Sequence, residues 1–183
     1  MKIPPVRPAR KPGAVLLACI ALPVGAATAF SLTAPQPAFL WNPTLSEPVG
    51  FYVRSGERPR RGRIIAFRTP DRAFPYADGR MNYLRRIPIL KTIAAGEGDK
   101  VCTNEGVLTI NGRRRGPVFT LDGRGAKLPL WRGCRKMVRD EFFVFSDRIT
   151  NSFDSRYYGP VARASIIGVF RPLGIGSRAG QGA

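Results

Sequence analysis

Beyond residue 35 the chain is a succession of short runs rich in valine, isoleucine, phenylalanine and tyrosine, which glycine, proline, asparagine and aspartate separate. Runs of this length and composition are typical of β-strands joined by turns. The predicted strands cover residues 50–54, 63–68, 107–111, 118–121, 135–138, 141–145 and 165–170. No long stretch after residue 35 has the periodicity of a helix. The sequence therefore predicts one mainly β domain with many bends, over residues 36–172.

Turn-forming residues mark where the predicted strands are joined. Asn111-Gly112 is a typical two-residue hairpin turn, and Arg139-Asp140 is a second candidate for a tight turn. Residues 69–86 are rich in turn formers, so we expect a surface loop or one helical turn there. Residues 173–183 are small and polar and are expected to form a flexible tail.

The first 32 residues differ in composition from the rest of the chain. Residues 1–12 hold four basic residues and no acid, and the twenty residues 13–32 carry no charge. About 20 apolar residues cross a bilayer as a helix, and basic residues before such a segment keep the amino terminus in the cytoplasm. We therefore expect a cytoplasmic basic tail at 1–12, a transmembrane signal anchor at 13–32 and an exported domain at 36–172.

A cleavable signal peptide is the alternative interpretation of the same segment, because Ala27-Thr28-Ala29 is a plausible small-x-small cleavage site. A retained anchor is favoured because it would hold the start of the domain close to the bilayer surface. Either interpretation exports the domain.

The formal net charge is +18 at pH 7, which indicates an anionic partner. The arginines are scattered, and aromatic residues do not alternate with them as a stacking surface for nucleic-acid bases would require. We therefore expect a basic surface that lies against anionic headgroups of the cytoplasmic membrane, and no specific nucleic-acid binding.

Three cysteines and no histidine limit the metal and redox chemistry of the chain. Cys19 lies in the uncharged segment and is expected to be a small packing residue. Cys102 and Cys134 lie in the predicted exported domain, where an oxidising compartment would let them form a disulfide; two free thiols are the alternative. Two isolated cysteines do not supply the four ligands of a structural zinc site, so we expect no metal and no cofactor.

A serine and a lysine are the candidate reactive residues. A serine hydroxyl is a weak nucleophile until a neighbouring base takes its proton, and the chain has no histidine to do so. Lys91 lies between Ile87-Pro88-Ile89-Leu90 and Ile93-Ala94-Ala95, and burial in such surroundings favours the neutral amine. Without further information, a loop serine such as Ser46 is most often a turn former, and a strand lysine is most often solvated.

Three segments in this order resemble the type I signal peptidase family of serine–lysine proteases. They are NPTLSEPVGFY at 42–52, which contains Ser46, ILKTIAAGEGDKV at 89–101, which contains Lys91, and NSFDSRYYGPV at 151–161. Ser46-Glu47-Pro48 is one residue shorter than the Ser-Met-x-Pro of the main branch, and the form at 42–52 resembles the short conjugative-transfer branch, the TraF-type peptidases. The resemblance covers roughly residues 40–170. It implies a coiled antiparallel β-sheet domain after a single N-terminal transmembrane helix.

The resemblance also implies roles for single residues. Ser46 would be the nucleophile, Lys91 the general base, and the Thr44 hydroxyl would help the Ser46 N–H to bind the oxyanion. Ser152 would orient the lysine by a hydrogen bond, and Asp154 and Arg156 would be a charged pair that braces the site. Ser146-Asp147-Arg148 stands where the family has Gly-Asp-Asn, which argues against a role for Asp147, and Asp99 and Lys100 are expected to be turn and fold residues.

The expected function is that of a membrane-anchored serine endopeptidase in the bacterial cytoplasmic membrane, with its catalytic domain in the periplasm. Its partner would be a conjugative pilin precursor or another secreted preprotein, cut after a small residue and then either released as a linear product or cyclised. A general signal peptidase for secreted proteins is the alternative within the same class. A non-catalytic scaffold of a conjugation or secretion machine and an autocleaving repressor-like protease are rivals, and the three segments and the anchor argue against them.

Overall fold

Eleven strands and two short α-helices build the part of the chain that the structure, a computed structural model, describes, residues 36–174. The helices are α1 (Tyr76–Arg80) and α2 (Ser155–Tyr158). The strands are β1 (Phe39–Asn42), β2 (Gly50–Ser55), β3 (Ile64–Phe67), β4 (Ile89–Ala95), β5 (Lys100–Asn104), β6 (Val107–Ile110), β7 (Arg113–Pro117), β8 (Cys134–Lys136), β9 (Glu141–Val144), β10 (Val161–Ala162) and β11 (Ile166–Pro172). Three single 3₁₀ turns cover Asp71–Ala73, Asn82–Arg85 and Arg163–Ser165.

The strands form two antiparallel sheets. Seven of them lie in the order β1-β2-β11-β3-β4-β9-β10, and the other four lie in the order β7-β6-β5-β8. Every strand pair in both sheets is antiparallel. The register shifts between Ile93 and Ala95 of β4 and between Ile166 and Gly168 of β11, and such bulges bend a sheet. The predicted mainly β, antiparallel domain is confirmed.

Most predicted strands exist, but one prediction is wrong. Residues 118–121 do not form a strand; the strand is β7, directly after Asn111-Gly112. Both turn residues have positive φ, 52° and 77°, so the chain reverses within two residues. β7 was not predicted because it begins with three successive arginines and is not an apolar run. Charged residues are nevertheless common on an edge strand, and β7 is at the edge of its sheet.

The other differences are four strands in which apolar and polar residues do not clearly alternate, and the segment at 69–86. β1, β4, β5 and β10 were not predicted. Residues 69–86 hold α1 and two 3₁₀ turns rather than a single helical turn. The predicted tight turn at Arg139-Asp140 is present, with Asp140 at φ 62°.

Strand β4 lies between two hydrophobic clusters. Ile89 and Ile93 pack with Ile65, Phe67 and Val144 in one cluster. Leu90 packs on the other face with Tyr52, Ala66 and Phe170. Because side chains alternate along a strand, Lys91 projects to the same face as the two isoleucines, so β4 carries it into an apolar environment.

The small sheet contains the two cysteines of the described residues, Cys102 and Cys134. Cys102 on β5 and Cys134 on β8 are register partners, and the structure joins them in a disulfide 32 residues apart in sequence.

Within residues 36–174 there is no helix of the length and apolar character that a membrane crossing needs. The predicted anchor at 13–32, the basic tail at 1–12, Cys19 and nearly all of the predicted tail at 173–183 lie outside the described residues.

Candidate active site

The loop that carries Ser46 connects β1 to β2 and is organised by the side chain of Asn42, the last residue of β1. Its amide nitrogen lies 3.0, 3.2 and 3.0 Å from the carbonyl oxygens of Thr44, Glu47 and Pro48. Its amide oxygen accepts from the Thr44 backbone N–H at 3.1 Å. Since Asn42 also pairs with Gly50 across the strands, one side chain fixes both ends of the turn and holds Ser46 in place.

Lys91 donates a hydrogen bond from Nζ to the hydroxyl oxygen of Ser46. The two residues are 5% and 4% exposed. Burial lowers the pKa of Lys91 from its usual 10.5 to about 8, although the charges of Asp154 and Glu47 act in the opposite direction. An amine with this pKa is partly neutral near neutral pH and can accept a proton from the hydroxyl that it contacts.

Thr44 also contacts the serine, because its Oγ1 lies 3.2 Å from Ser46 Oγ. The same hydroxyl donates to Asn42 Oδ1 at 2.7 Å. A threonine hydroxyl has one proton. To donate to a tetrahedral oxyanion, as the sequence suggests, the Thr44 hydroxyl would therefore have to turn away from Asn42.

Asp154 and Arg156 form an ion pair that is completely buried. The guanidinium binds both carboxylate oxygens, with Nε 2.8 Å from Oδ1 and Nη2 2.9 Å from Oδ2. Its remaining donors reach the carbonyl oxygens of Pro117, Thr150 and Ser152 at 2.7, 3.2 and 2.9 Å. All the N–H groups of the arginine side chain thus have acceptors, which a buried charge requires.

Ser146 connects this ion pair to the reactive loop. Its backbone N–H donates to Asp154 Oδ2 at 3.4 Å, and its hydroxyl donates to the backbone carbonyl of Ser46. The neighbouring Asp147 is exposed and lies 3.6 Å from Arg115, away from these contacts. The charged pair therefore reaches the serine loop through Ser146, a residue for which the sequence predicted no role.

Ser152 differs from expectation. It is 2% exposed and lines the same cavity as Lys91. Its hydroxyl nevertheless has no hydrogen-bond partner among residues 36–174. The hydrogen bond from Ser152 to the lysine, which the family resemblance implied, is absent from the described part of the chain. Here the carbonyl oxygen of Ser152 accepts a hydrogen bond from Arg156, and this contact fixes the backbone at this position.

Glu47 is a site residue that sequence reasoning missed. It is 3% exposed, and its Oε1 accepts from the backbone N–H and the hydroxyl of Thr92 at 2.7 and 2.9 Å. Burial raises the pKa of this carboxyl. Thr92 follows Lys91 on β4, so Glu47 fastens the serine loop to the strand that carries the lysine. A glutamate that directly follows the candidate nucleophile was the available signal.

Two cavities meet at Ser46. One, of about 690 Å³, runs along residues 89–91 of β4 and along residues 41–44, where β1 leads into the serine loop. Its wall includes Leu84, Ile87 and Phe153. The other, of about 500 Å³, continues along residues 92–94 of β4 and past Glu47 and Pro48. The first is lined mainly by apolar side chains and the second carries arginines. An extended polypeptide that lay across Ser46 would enter both.

Across residues 36–174 no group of three or more histidine, cysteine, aspartate or glutamate side chains is arranged to hold a metal ion.

The sequence is similar to a protein family and to two kinds of known protein. The family described as "Signal peptidase, peptidase S26" matches residues 13–173. A conjugal transfer protein TraF from Agrobacterium tumefaciens (strain 15955) is 30% identical over 161 residues, which cover 82% of this chain and 88% of the relative. A plasmid transfer protein TraF from Escherichia coli is 29% identical over 147 residues, 72% of this chain and 80% of that one.

A second kind of relative carries a signal peptidase name. A probable signal peptidase I-2 from Synechocystis sp. is 25% identical over 166 residues, 85% of this chain and 68% of the relative. Because the family match covers most of the sequence and includes the loop of Ser46, the strand of Lys91 and the segment of Asp154 and Arg156, the chain belongs to the S26 family of signal peptidases.

Proposed function

We propose that this protein is a serine endopeptidase in which Ser46 is the nucleophile and Lys91 is the general base. One observation carries the proposal: the buried Nζ of Lys91 is hydrogen-bonded to the hydroxyl of Ser46. The lowered pKa of the lysine, about 8, makes the neutral amine accessible. A scaffold without catalysis would gain nothing from a buried lysine, because an amine in such a site destabilises the fold whenever it is charged.

The reaction begins when Lys91 takes the Ser46 proton as Oγ attacks the carbonyl carbon of the scissile bond. The negative charge that forms on the carbonyl oxygen is bound by the Ser46 N–H and, after it turns from Asn42, by the Thr44 hydroxyl. Removing one such donor typically costs about 3 kcal/mol in the barrier. The Lys91 ammonium then gives its proton to the leaving amine, and an acyl-enzyme remains.

The acyl-enzyme is resolved by a second nucleophile. Lys91, neutral again, takes a proton from water, whose oxygen attacks the ester, and the collapse of this intermediate returns the proton to Ser46 Oγ. A substrate amine in place of the water would give a new peptide bond, and a circular product if that amine is the substrate's own amino terminus.

The proposed substrate is a pilin precursor in the cytoplasmic membrane, cut after a small residue on the periplasmic side. The TraF relatives support a role in conjugal transfer. The largely apolar cavity beside Ser46, which includes Ile87 and Ile89, would accept the residues before the scissile bond and would favour small apolar side chains there. A general signal peptidase that acts on many preproteins is the second candidate, and the Synechocystis relative favours it.

The test is co-expression of the full chain with its candidate pilin precursor, followed by mass spectrometry of the product. Ser46→Ala, Lys91→Ala and Lys91→Arg should each leave the precursor uncut, because a guanidinium is not a base at neutral pH. Lys100→Ala, which removes an exposed lysine of β5, is the matched control and should process normally. A product one water lighter than the linear form supports cyclisation, and the linear mass supports hydrolysis.

Processing by either alanine variant would overturn the dyad. An untouched pilin beside efficient cleavage of ordinary secretory preproteins would favour the general signal peptidase instead.

A further inference from the structure

The cavity along residues 92–94 of β4 differs in its lining from the largely apolar cavity on the other side of Ser46. Its volume is about 500 Å³, and its apolar lining includes Ile64, Ile93 and Phe145. Three guanidinium groups border it, those of Arg61, Arg115 and Arg148. An apolar floor with a cationic border suits a side chain that combines a short aliphatic stem with a carboxylate.

Among the three arginines, Arg148 contacts the serine loop directly. Its Nε donates to the backbone carbonyl of Leu45 at 3.3 Å, one residue before the serine. Within residues 36–174 no carboxylate lies within 4.0 Å of its guanidinium. Its side chain is exposed and lines the cavity, so its N–H groups other than Nε–H are available to bind an anion.

The other two arginines have exposed side chains, and their ion pairs are long. Arg115 lies 3.6 Å from Asp147, and these side chains are 39% and 72% exposed. Arg61, 66% exposed, lies 3.6 Å from Asp99. Exposed pairs at such distances contribute little, so an incoming carboxylate can replace or share them at small cost.

The two acidic residues that line the cavity offset its three arginines only in part, although the charge of Arg148 does act on Glu47. Glu47 is buried and directs Oε1 to the N–H and hydroxyl of Thr92, and burial raises the pKa of its carboxyl. Asp147 already lies beside Arg115. Of the three arginines, Arg61 and Arg115 each lie 3.6 Å from a carboxylate, and Arg148 has none within 4.0 Å in the described range.

The direction of the substrate follows from the proposed function, on which this inference rests. If the largely apolar cavity takes the small residues before the scissile bond, the polypeptide that crosses Ser46 continues into the arginine-bordered cavity with the residues after the bond. We propose that this cavity is a binding subsite for an acidic residue, aspartate or glutamate, within the first three positions after the scissile bond. Arg148 is its principal ligand, since a guanidinium binds a carboxylate with two parallel hydrogen bonds.

The experiment compares pairs of peptides as substrates of the detergent-solubilised full chain. The two peptides of a pair share a small residue before the scissile bond and differ only in glutamate or glutamine, at the first, second or third position after it. We expect the glutamate peptide of at least one pair to have the higher kcat/KM by about fivefold, the ratio that a partly exposed charged hydrogen bond supports. Raising the salt concentration to about 1 M should reduce the ratio, because salt screens exposed charges.

Variants locate the effect. Arg148→Gln should bring the glutamate-to-glutamine ratio to below about twofold, and Arg148→Lys should keep an intermediate ratio because the charge remains. Arg114→Gln is the matched control, since this neighbour on β7 does not line the cavity; its ratio should equal that of the wild type. The ratio compares two substrates of one enzyme, so a partly unfolded sample does not change it.

Equal kcat/KM values within the pairs at all three positions in the wild type would overturn the subsite. A ratio that survives in Arg148→Gln, or a preference for acids only before the scissile bond, would overturn it as well. Failure of the proposed function gives a different result: neither peptide would be cut, or Ser46→Ala would cut both.

Discussion

The burial of Lys91 has opposite effects on the activity and on the stability of the protein. The strand that carries it has apolar neighbours on the same face, Ile89 and Ile93, and burial there lowers its pKa to about 8. The same burial makes the neutral base available and disfavours the charged form in the folded state. Activity and stability should therefore respond to pH through one residue.

Activity should rise with pH as Lys91 loses its proton. The rate of acyl-enzyme formation should increase through a pKa of about 8 and reach a plateau above it, because only the neutral amine can accept the serine proton. The chain has no histidine that could produce such a profile. The measurement is kcat/KM for a peptide substrate from pH 6 to 10. A flat profile over this interval would contradict a titrating lysine base.

Stability should change with pH in the same interval. The pKa of Lys91 is 10.5 when unfolded and about 8 when folded, so between these values the unfolded chain binds more protons and the free energy of unfolding rises with pH. Below pH 8 the charged lysine costs the fold roughly 3 kcal/mol, at about 1.4 kcal/mol per pKa unit. Lys91→Met should therefore be inactive yet melt at a higher temperature than the wild type at pH 7.

The stability advantage of Lys91→Met should shrink as the pH approaches 10.5, where both proteins are neutral at this position. Thermal melts of the two proteins at pH 7 and pH 10 make the comparison. A variant that melts lower than the wild type at pH 7 would show that packing of the lysine stem outweighs the cost of its charge.

Glu47 should tune Lys91 as well as hold the loop. The negative charge of Glu47 raises the lysine pKa. Glu47→Gln removes that charge and keeps an oxygen for Thr92, so the rise of activity with pH should move to lower pH. Glu97→Gln, which alters an exposed glutamate, is the control and should leave the midpoint unchanged. An unchanged midpoint in Glu47→Gln would show that its charge is not felt at the amine.

At the scale of elements, the site exists because a strand, a loop and a helical turn converge. β4 supplies Lys91, the β1–β2 loop supplies Ser46, and the segment before α2 supplies Asp154, whose side chain also accepts from the Arg156 N–H at the start of that helix. Contacts between these elements join residues 45 and 100 positions apart in the sequence. Contacts made by side chains, rather than a short connection along the sequence, therefore align the loop with the strand.

This arrangement explains how much could be predicted from the sequence. The hairpin at Asn111-Gly112 and the apolar strands were predictable because local residues determine them. The candidate residues themselves could be named from the three segments. The contacts of Glu47 and Ser146, and the free hydroxyl of Ser152, could not be predicted, because they depend on which strand lies against which loop.

Gly159 ends α2 and should be intolerant of a side chain. Its φ is 80°, a conformation that costs about 1 kcal/mol or more for other residues. A Cβ there would lie 2.8 Å from a ring carbon of Trp131, closer than atoms can approach. Gly159→Ala should therefore lower the melting temperature by several degrees. It should also lower activity, because the helix that Gly159 ends is capped at its other end by Asp154, a residue of the candidate site.

The matched control is Gly123→Ala, which adds a methyl group at a glycine with no atom within 4 Å and no positive φ. Its melting temperature should stay within about a degree of the wild type, since surface changes of this kind have small effects. Equal melting temperatures for the two variants would show that the loop around Trp131 yields without cost.

At the scale of the whole molecule, charge and hydrophobicity are distributed unevenly. The net charge is +18, yet residues 13–32 carry none, and large apolar side chains are exposed at the start of the domain, among them Phe39, Trp41 and Phe51. The serine loop lies between the last two of these, so the candidate site and the exposed aromatic residues belong to the same end of the sequence. A membrane-proximal position of Ser46 would follow if residues 13–32 are an anchor.

Topology in the membrane is the prediction that decides where this chemistry takes place. The basic residues at 1–12 and the uncharged segment at 13–32 should keep the amino terminus in the cytoplasm and export everything after residue 32. Alkaline phosphatase fused after residue 174 should be active, and a green fluorescent protein fused there should be dark. Deletion of residues 13–32 should reverse both results, and bright fluorescence in the intact chain would contradict export.

The mass of the purified protein then separates the two forms of export, because a retained anchor leaves the amino terminus intact and a signal peptidase cut after Ala29 leaves a chain that begins at Phe30.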